Sequence, residues 1–199
     1  MKKAIIGALV GGLLIFLWQF VSYPIANLHG KAMQYTDKQD ALISAINSQG
    51  LEEGGYMLPN LPADATNEQH EQLMADMKGK AWMSIQYHKS YDESMGMNMV
   101  RGYLTNVVAV LLLSFILLRF RDLNFGTILS ASLFTGLIIF LSSQYINHIW
   151  FQTFDLWAHF LDAIVAWGLV GVWLGWYLPR GNTQLSSLHV DERAKAAVD

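Results

Sequence analysis

The stretch from residue 154 to residue 178 constrains the fold of this chain more than any other. It is apolar and long enough to cross a bilayer, yet it carries Asp155, His159 and Asp162 near its first end. These three residues are spaced four and then three apart, so on a helix their side chains lie on one face. Ionisable side chains within a membrane span face protein or water, because exposure to lipid is costly. The stretch therefore predicts a membrane-spanning helix whose polar face turns into a bundle.

Charge is confined to a few segments of the chain. The composition is 53% hydrophobic and only 15% charged, which favours the membrane class over the soluble class. Long runs free of Asp, Glu, Lys and Arg indicate spans separated by aqueous loops. They cover residues 4–25, 102–118 and 123–154. We predict an all-α membrane protein, a four-helix transmembrane bundle with spans at residues 1–22, 100–118, 125–145 and 156–178.

The segment 23–99, between the first two spans, is polar and is predicted to fold outside the bilayer as a small α+β insertion. Two helices are expected in it, because two sequences have the form of a capping box and each is followed by a glycine stop. The boxes are Thr36–Gln39 and Thr66–Gln69, and the stops are Gly50 and Gly79. One short strand is predicted around residues 56–58. A second is predicted after Gly79, because apolar and polar residues alternate there.

Basic residues at the span ends predict the orientation of the chain. Lys2, Lys3, Arg119, Arg121 and Arg180 fall on one side of the four spans, and Arg101 stands alone on the other. The positive-inside rule then places both termini in the cytoplasm and residues 23–99 on the other side of the membrane. The first span is expected to be an uncleaved signal anchor, since its apolar run exceeds the roughly 7–15 residues of a secretory signal. Residues 179–199 are expected to be a cytoplasmic tail.

Several functional classes are disfavoured by what the sequence lacks. The net charge is −3 and the basic residues are dispersed, so nucleic acid is not an expected partner. The absence of cysteine excludes a disulfide, a thiolate metal site and a thiol nucleophile. No phosphate-binding loop, dinucleotide fingerprint, zinc-protease motif or hydrolase motif occurs. We expect a non-enzymatic protein whose partners are the lipid bilayer and either another protein or further copies of itself.

Polar side chains near the outer ends of the spans are predicted to share one region, because antiparallel spans bring those ends to one depth. They are Gln19, Arg101, Asn106, Ser143, Gln144, His148, Asp155, His159 and Asp162. One interpretation is structural: Arg101 pairs with Asp162 and the hydrogen-bonded neighbours fix the helix register. The other is a functional pocket in which His159 and Asp162 hold or relay a proton or bind a cation.

Methionine is concentrated in one part of the chain. Apart from Met1, all the methionines lie within residues 23–99, and Met95, Met97 and Met99 alternate in a short run. Thioether sulfur favours soft Cu(I), so these three residues predict a copper site that His70 or His88 would complete. The alternative interpretation is that the methionines pack the core of a small domain.

The layout of the spans carries a resemblance. The sequences FGTI at 125–128 and QYINHIW at 144–150, with the ending WGLVGVWLGW at 167–176, are its main features. In this layout the chain resembles small four-span bacterial inner-membrane proteins without an assigned activity, which implies the fold and assigns no functional residue. From its own residues, the chain is predicted to be an interaction or accessory subunit whose outer polar cluster meets a partner or small ligand. The alternatives are a copper-handling protein and a small proton-coupled transporter.

Overall fold

The structure, a computed structural model, describes residues 1–92, 94–120 and 123–179. The chain divides into two compact units: a helical unit, formed by residues 1–34 and the chain from residue 94 onward, and an insertion unit, residues 35–93. The insertion unit is shorter than the predicted segment 23–99, because the residues on both sides of it belong to the helical unit. Apart from Pro179, the predicted tail 179–199 lies outside the described residues.

The described elements are mainly helical. In chain order they are α1 (Lys2–Phe20), α2 (Gln39–Asn47), β1 (Gly54–Leu58), α3 (Asn67–Met77), β2 (Met83–Tyr87), α4 (Met95–Leu117), α5 (Phe125–Ile139), α6 (Ile146–Trp150) and α7 (Leu156–Tyr177). A π-helical turn, Val21–Ile25, extends α1, and a second one, Phe140–Tyr145, joins α5 to α6.

Four helical stretches in the described chain are long and apolar enough to cross a membrane: Lys2–Ile25, Met95–Leu117, Phe125–Trp150 and Leu156–Tyr177. The prediction of a mostly helical fold with four helices of spanning length and a small sheet is thus confirmed. The second stretch begins five residues earlier than predicted, because Ser94 caps α4 by accepting a hydrogen bond from the backbone N–H of Met97.

The long helices of the helical unit pack in the lateral order α4–α1–α7–α5, since α1 contacts α4 and α7, and α7 contacts α5. Helices α1 and α7 are antiparallel: Trp173, late in α7, bonds the carbonyl of Gly7, and Asp162, early in α7, bonds Trp18. The outward side chains are large and apolar, as is typical of helices that face lipid. Examples are Leu13, Val108, Phe134, Ile138 and Val172. Because α1 and α7 are antiparallel and lie in the middle of the lateral order, the end of α1 packs beside the beginning of α7.

The insertion unit contains two helices and a two-stranded antiparallel sheet in which Gly54 pairs with Tyr87 and Leu58 with Met83. The capping box predicted at Thr66 is formed with Gln69. Gly50 and Gly79 have left-handed φ values of 65° and 76°, as the predicted helix stops require.

The capping box predicted at Thr36 is wrong. Helix α2 begins only at Gln39, with Lys38 at the capping position and no side-chain cap. The hydroxyl of Thr36 accepts a hydrogen bond from the backbone N–H of Lys38 instead, which is a local turn.

Candidate functional site

The chain folds back on itself directly after α1. Pro24 has no N–H, so the α-helical bonding pattern cannot pass through it, and the helix widens into the π-helical turn Val21–Ile25. The N–H of Leu28 then reaches back 2.9 Å to the carbonyl of Ser22, while Asn27 takes a left-handed φ of 48°. Asparagine is one of the few residues that tolerates this conformation. These bonds hold the following loop against the end of α1 and direct His29 toward α7.

His29 lies between two carboxylates at the start of α7: Asp155, which immediately precedes the helix, and Asp162, in its second turn. Its side chain is 1% exposed. Its Nδ1 is 2.8 Å from Asp155 Oδ2, and its Nε2 is 2.9 Å from Asp162 Oδ2. The two aspartates are presented to the same ring because a separation of seven residues places them on one helical face. A ring nitrogen and a carboxylate oxygen at such distances need a positive charge or a proton between them.

Two further rings fix the position of His29. Tyr23 stacks on it with a centroid separation of 3.9 Å and an interplanar angle of 7°. His159 meets it edge-on at 4.7 Å, and His159 Nε2 lies 3.3 Å from Asp155 Oδ2. We call His29, Asp155, His159 and Asp162 the charge cluster.

Asp162 is also held from the side of α1. The indole N–H of Trp18 donates to Asp162 Oδ1 at 2.9 Å, so one oxygen of this carboxylate binds Trp18 and the other faces His29. Both oxygens thus have a defined partner, and α1 contributes two groups, Trp18 and Tyr23 in the turn that extends it, to the surroundings of the cluster.

The structure brings together three of the nine polar residues predicted to share one region: Asp155, His159 and Asp162. The Arg101–Asp162 pair of the structural interpretation does not form among the described residues, because Trp18 and His29 occupy the two oxygens of Asp162. Arg101 lies in the second turn of α4, and α4 packs mainly on α1.

Three of the other predicted polar residues, Gln19, Asn106 and His148, have partners outside the charge cluster. Asn106 donates to Gln19 Oε1 at 2.9 Å, which joins α4 to α1. His148 Nδ1 accepts the backbone N–H of Thr153 at 3.1 Å, which closes the loop before α7. Neither contact involves the charge cluster.

His29 is the cluster residue that the sequence interpretation missed. It falls in the segment assigned to the polar insertion, and nothing in its spacing connects it to α7. The only local signal is a run of turn-forming residues after the first span: Pro24, Asn27 and Gly30.

Three members of the charge cluster are placed to share a metal ion. One ligand atom from each of His29, His159 and Asp162 lies within 4.8 Å of the other two. Imidazole nitrogen with a carboxylate oxygen is a donor set suited to first-row divalent metals.

Of the three methionines predicted to bind copper, the structure brings Met95 and Met99 to one groove and leaves Met97 outside it. Because α4 begins at Met95, the run is helical, and Met97 is turned about 200° away from Met95. Met95 and Met99 share an apolar groove of about 590 Å³ with Met33. The candidate ligands His70 and His88 belong to the insertion unit, whereas the three methionines of the run belong to the helical unit.

Comparisons with protein-family models, with curated proteins and with solved structures give no match to this chain.

Proposed function

We propose that this chain is a small four-span protein of a bacterial inner membrane, with both termini in the cytoplasm and residues 23–99 on the outer side. The four apolar helices support insertion in a membrane, and the basic residues at one set of span ends support the orientation. The surrounding lipid is then the partner of the outward apolar side chains.

Within this protein, the function supported best is the binding of a small cationic ligand at the charge cluster, in a non-enzymatic accessory or interaction role. The single observation that carries the proposal is the position of His29, 1% exposed, with a carboxylate at each ring nitrogen. Two carboxylates placed away from bulk water require compensating positive charge. In the described part of the chain, only histidines form ion pairs with Asp155 and Asp162.

The orientation is testable because the chain contains no cysteine, so each introduced cysteine is unique. We expect Ser48→Cys, in the insertion unit, to react with a membrane-impermeant maleimide in cells whose inner membrane is intact. Phe120→Cys, which follows α4 and is 53% exposed, should react only after that membrane is permeabilised. The reverse pattern would place the insertion unit in the cytoplasm and contradict the proposed topology.

Cation binding is testable by thermal unfolding of the purified full-length protein in detergent. We expect at least one member of a panel of alkali, alkaline-earth, transition-metal and small organic cations to raise Tm. A ligand at 100 times its Kd stabilises the folded state by about 2.7 kcal/mol. The rise should disappear in Asp162→Asn and persist in the matched control Asp64→Asn, an exposed residue of the insertion unit. If no cation on the panel shifts Tm, the proposed function is wrong.

A second candidate function, Cu(I) handling, is supported by the groove that Met33, Met95 and Met99 line together. A site of three thioether ligands favours Cu(I) over harder cations. Anaerobic Cu(I) titration should show weaker binding by the triple variant Met33→Leu, Met95→Leu, Met99→Leu than by the wild type. Met97→Leu is the matched control, since Met97 does not line the groove. Equal Cu(I) affinity of the triple variant and the wild type would remove the copper hypothesis.

A further inference from the structure

We propose that the cationic ligand of the charge cluster is a first-row divalent transition-metal ion, of the class of Mn²⁺, Fe²⁺, Co²⁺ and Zn²⁺. Its ligands are His29 Nε2, Asp162 Oδ2 and a ring nitrogen of His159. The assignment rests on the proposed cation-binding function and names the class of cation that the site takes.

The distances between the candidate ligand atoms fit a site that closes around an ion. His29 Nε2 and Asp162 Oδ2 are 2.9 Å apart, and the atoms of all three ligand residues lie within 4.8 Å of one another. Around a tetrahedral ion with bonds of about 2.0–2.2 Å, neighbouring ligand atoms are about 3.3–3.6 Å apart. To reach that spacing, His29 Nε2 and Asp162 Oδ2 must separate by about 0.5 Å, and the His159 nitrogen must approach them by at most about 1.5 Å.

Each of two ligands already has the outer partner that metal ligands need. Asp155 Oδ2 lies 2.8 Å from His29 Nδ1, so a proton on Nδ1 is held there and Nε2 is left to bind a metal. Trp18 donates to Asp162 Oδ1 and leaves Oδ2 directed at His29. Such carboxylate–histidine and donor–carboxylate contacts orient ligands at metal centres. They are evidence for the site independent of the distances among the ligands.

Stacking and burial support the same assignment. Tyr23 lies flat on the His29 ring at 3.9 Å and so restrains the plane in which Nε2 lies. His29 is 1% exposed, whereas the side chains of His159 and Asp162 are 21% and 19% exposed. The ion therefore enters, and keeps any exchangeable water, on the side of His159 and Asp162.

The donor set selects the class of metal. Mg²⁺ and Ca²⁺ prefer six or more oxygen ligands, whereas two imidazoles and one carboxylate suit first-row transition metals. Cu(I) prefers sulfur, and the charge cluster contains none. The two carboxylates, Asp155 and Asp162, carry two negative charges, which a divalent ion balances when both imidazoles are neutral.

The test uses tag-free full-length protein, stripped with a chelator and titrated separately with Co²⁺, Zn²⁺, Mn²⁺, Mg²⁺ and Ca²⁺. We expect Co²⁺ to give visible d–d absorption bands and Co²⁺, Zn²⁺ or Mn²⁺ to raise Tm, with no shift from Mg²⁺ or Ca²⁺ at equal concentration. Asp162→Asn and His159→Ala should each abolish the bands. His148→Ala, a histidine outside the cluster that bonds Thr153, should leave the bands and the affinity unchanged.

Variants of the two outer partners, Trp18 and Asp155, test the site without changing any metal ligand. Trp18→Phe and Asp155→Asn should each weaken Co²⁺ binding by about 10- to 100-fold while the positions of the d–d bands stay close to those of the wild type. Unchanged Co²⁺ affinity in both variants would overturn the assignment of Trp18 and Asp155 as outer partners of the metal ligands. This measurement can be made even if Asp162→Asn and His159→Ala fail to fold.

The possible failures are distinguishable. A Tm shift by an organic, alkali or alkaline-earth cation alone, lost in Asp162→Asn, would overturn the transition-metal class and leave cation binding in place. Transition-metal binding that persists in both Asp162→Asn and His159→Ala would place the metal elsewhere and overturn the ligand set. No response to any cation would remove the metal site and the proposed function together.

Discussion

Replacing His29 with alanine is expected to lower the free energy of unfolding by roughly 3–5 kcal/mol, as for other buried ion pairs that lose one partner. The substitution leaves Asp155 and Asp162, whose side chains are 9% and 19% exposed, without the ring that lies between them. It also removes the stacking partner of Tyr23. Chemical or thermal unfolding of the metal-free protein in detergent measures the change.

The matched control is His148→Ala, another histidine near α7, whose described hydrogen bonds are both to Thr153. It should cost only about 0.5–1.5 kcal/mol, the net value of an ordinary hydrogen bond. In the His29→Ala protein, adding Asp155→Asn and Asp162→Asn should recover part of the lost stability, because amides need no compensating cation. If this triple variant is no more stable than His29→Ala, uncompensated charge is not the cause, and the loss comes from ring packing.

The parts of the fold that follow from local periodicity were predictable. Asp155, His159 and Asp162 share a face because the helical repeat fixes their relative directions once the stretch is helical. The start of α3 directly after Thr66 was predictable for a similar reason, since a capping box satisfies two backbone groups with side chains only three residues apart. Each of these predictions needs information from a few neighbouring residues only.

The partner of Asp162 was not predictable in this way. Arg101 was expected because it is the only arginine near the outer span ends, but α4 packs mainly on α1, and this lateral order does not follow from the lengths of the spans. His29 reaches Asp162 through the π-helical turn at Pro24 and the left-handed Asn27. A return loop of this kind depends on the tertiary contacts that it makes.

The methionine run shows how the local backbone conformation determines which side chains can share a site. Alternating methionines lie on one side of an extended chain, but Ser94 caps a helix there and makes the run helical. Met95 and Met99 then lie on nearly the same face and Met97 points away from it. The groove they line includes Met33, a residue outside the run that no spacing argument would select.

Gly136→Ala is the second substitution with a large expected effect on stability. A Cβ atom at this position would lie 2.5 Å from the backbone oxygen of Ala163 and 2.7 Å from Cδ1 of Trp167. The backbone oxygen cannot rotate away, so α5 would have to move off α7, and overpacking of this kind costs about 1–3 kcal/mol. Because Ala163 is adjacent to Asp162, the displacement also reaches the charge cluster. The unfolding midpoint in detergent should fall.

Gly168→Ala, in the same α5–α7 interface, is expected to have the opposite sign. Its added Cβ would meet only Leu133 Cδ2, at an ordinary 3.6 Å. Alanine in a helix interior is favoured over glycine by about 0.5–1 kcal/mol, since glycine loses more backbone freedom on folding. Opposite effects at two glycines of one interface follow only if α5 and α7 approach closely at Gly136 and less closely at Gly168. Equal effects would show that Gly136 does not set the separation of the two helices, and the packing that positions Asp162 would need another explanation.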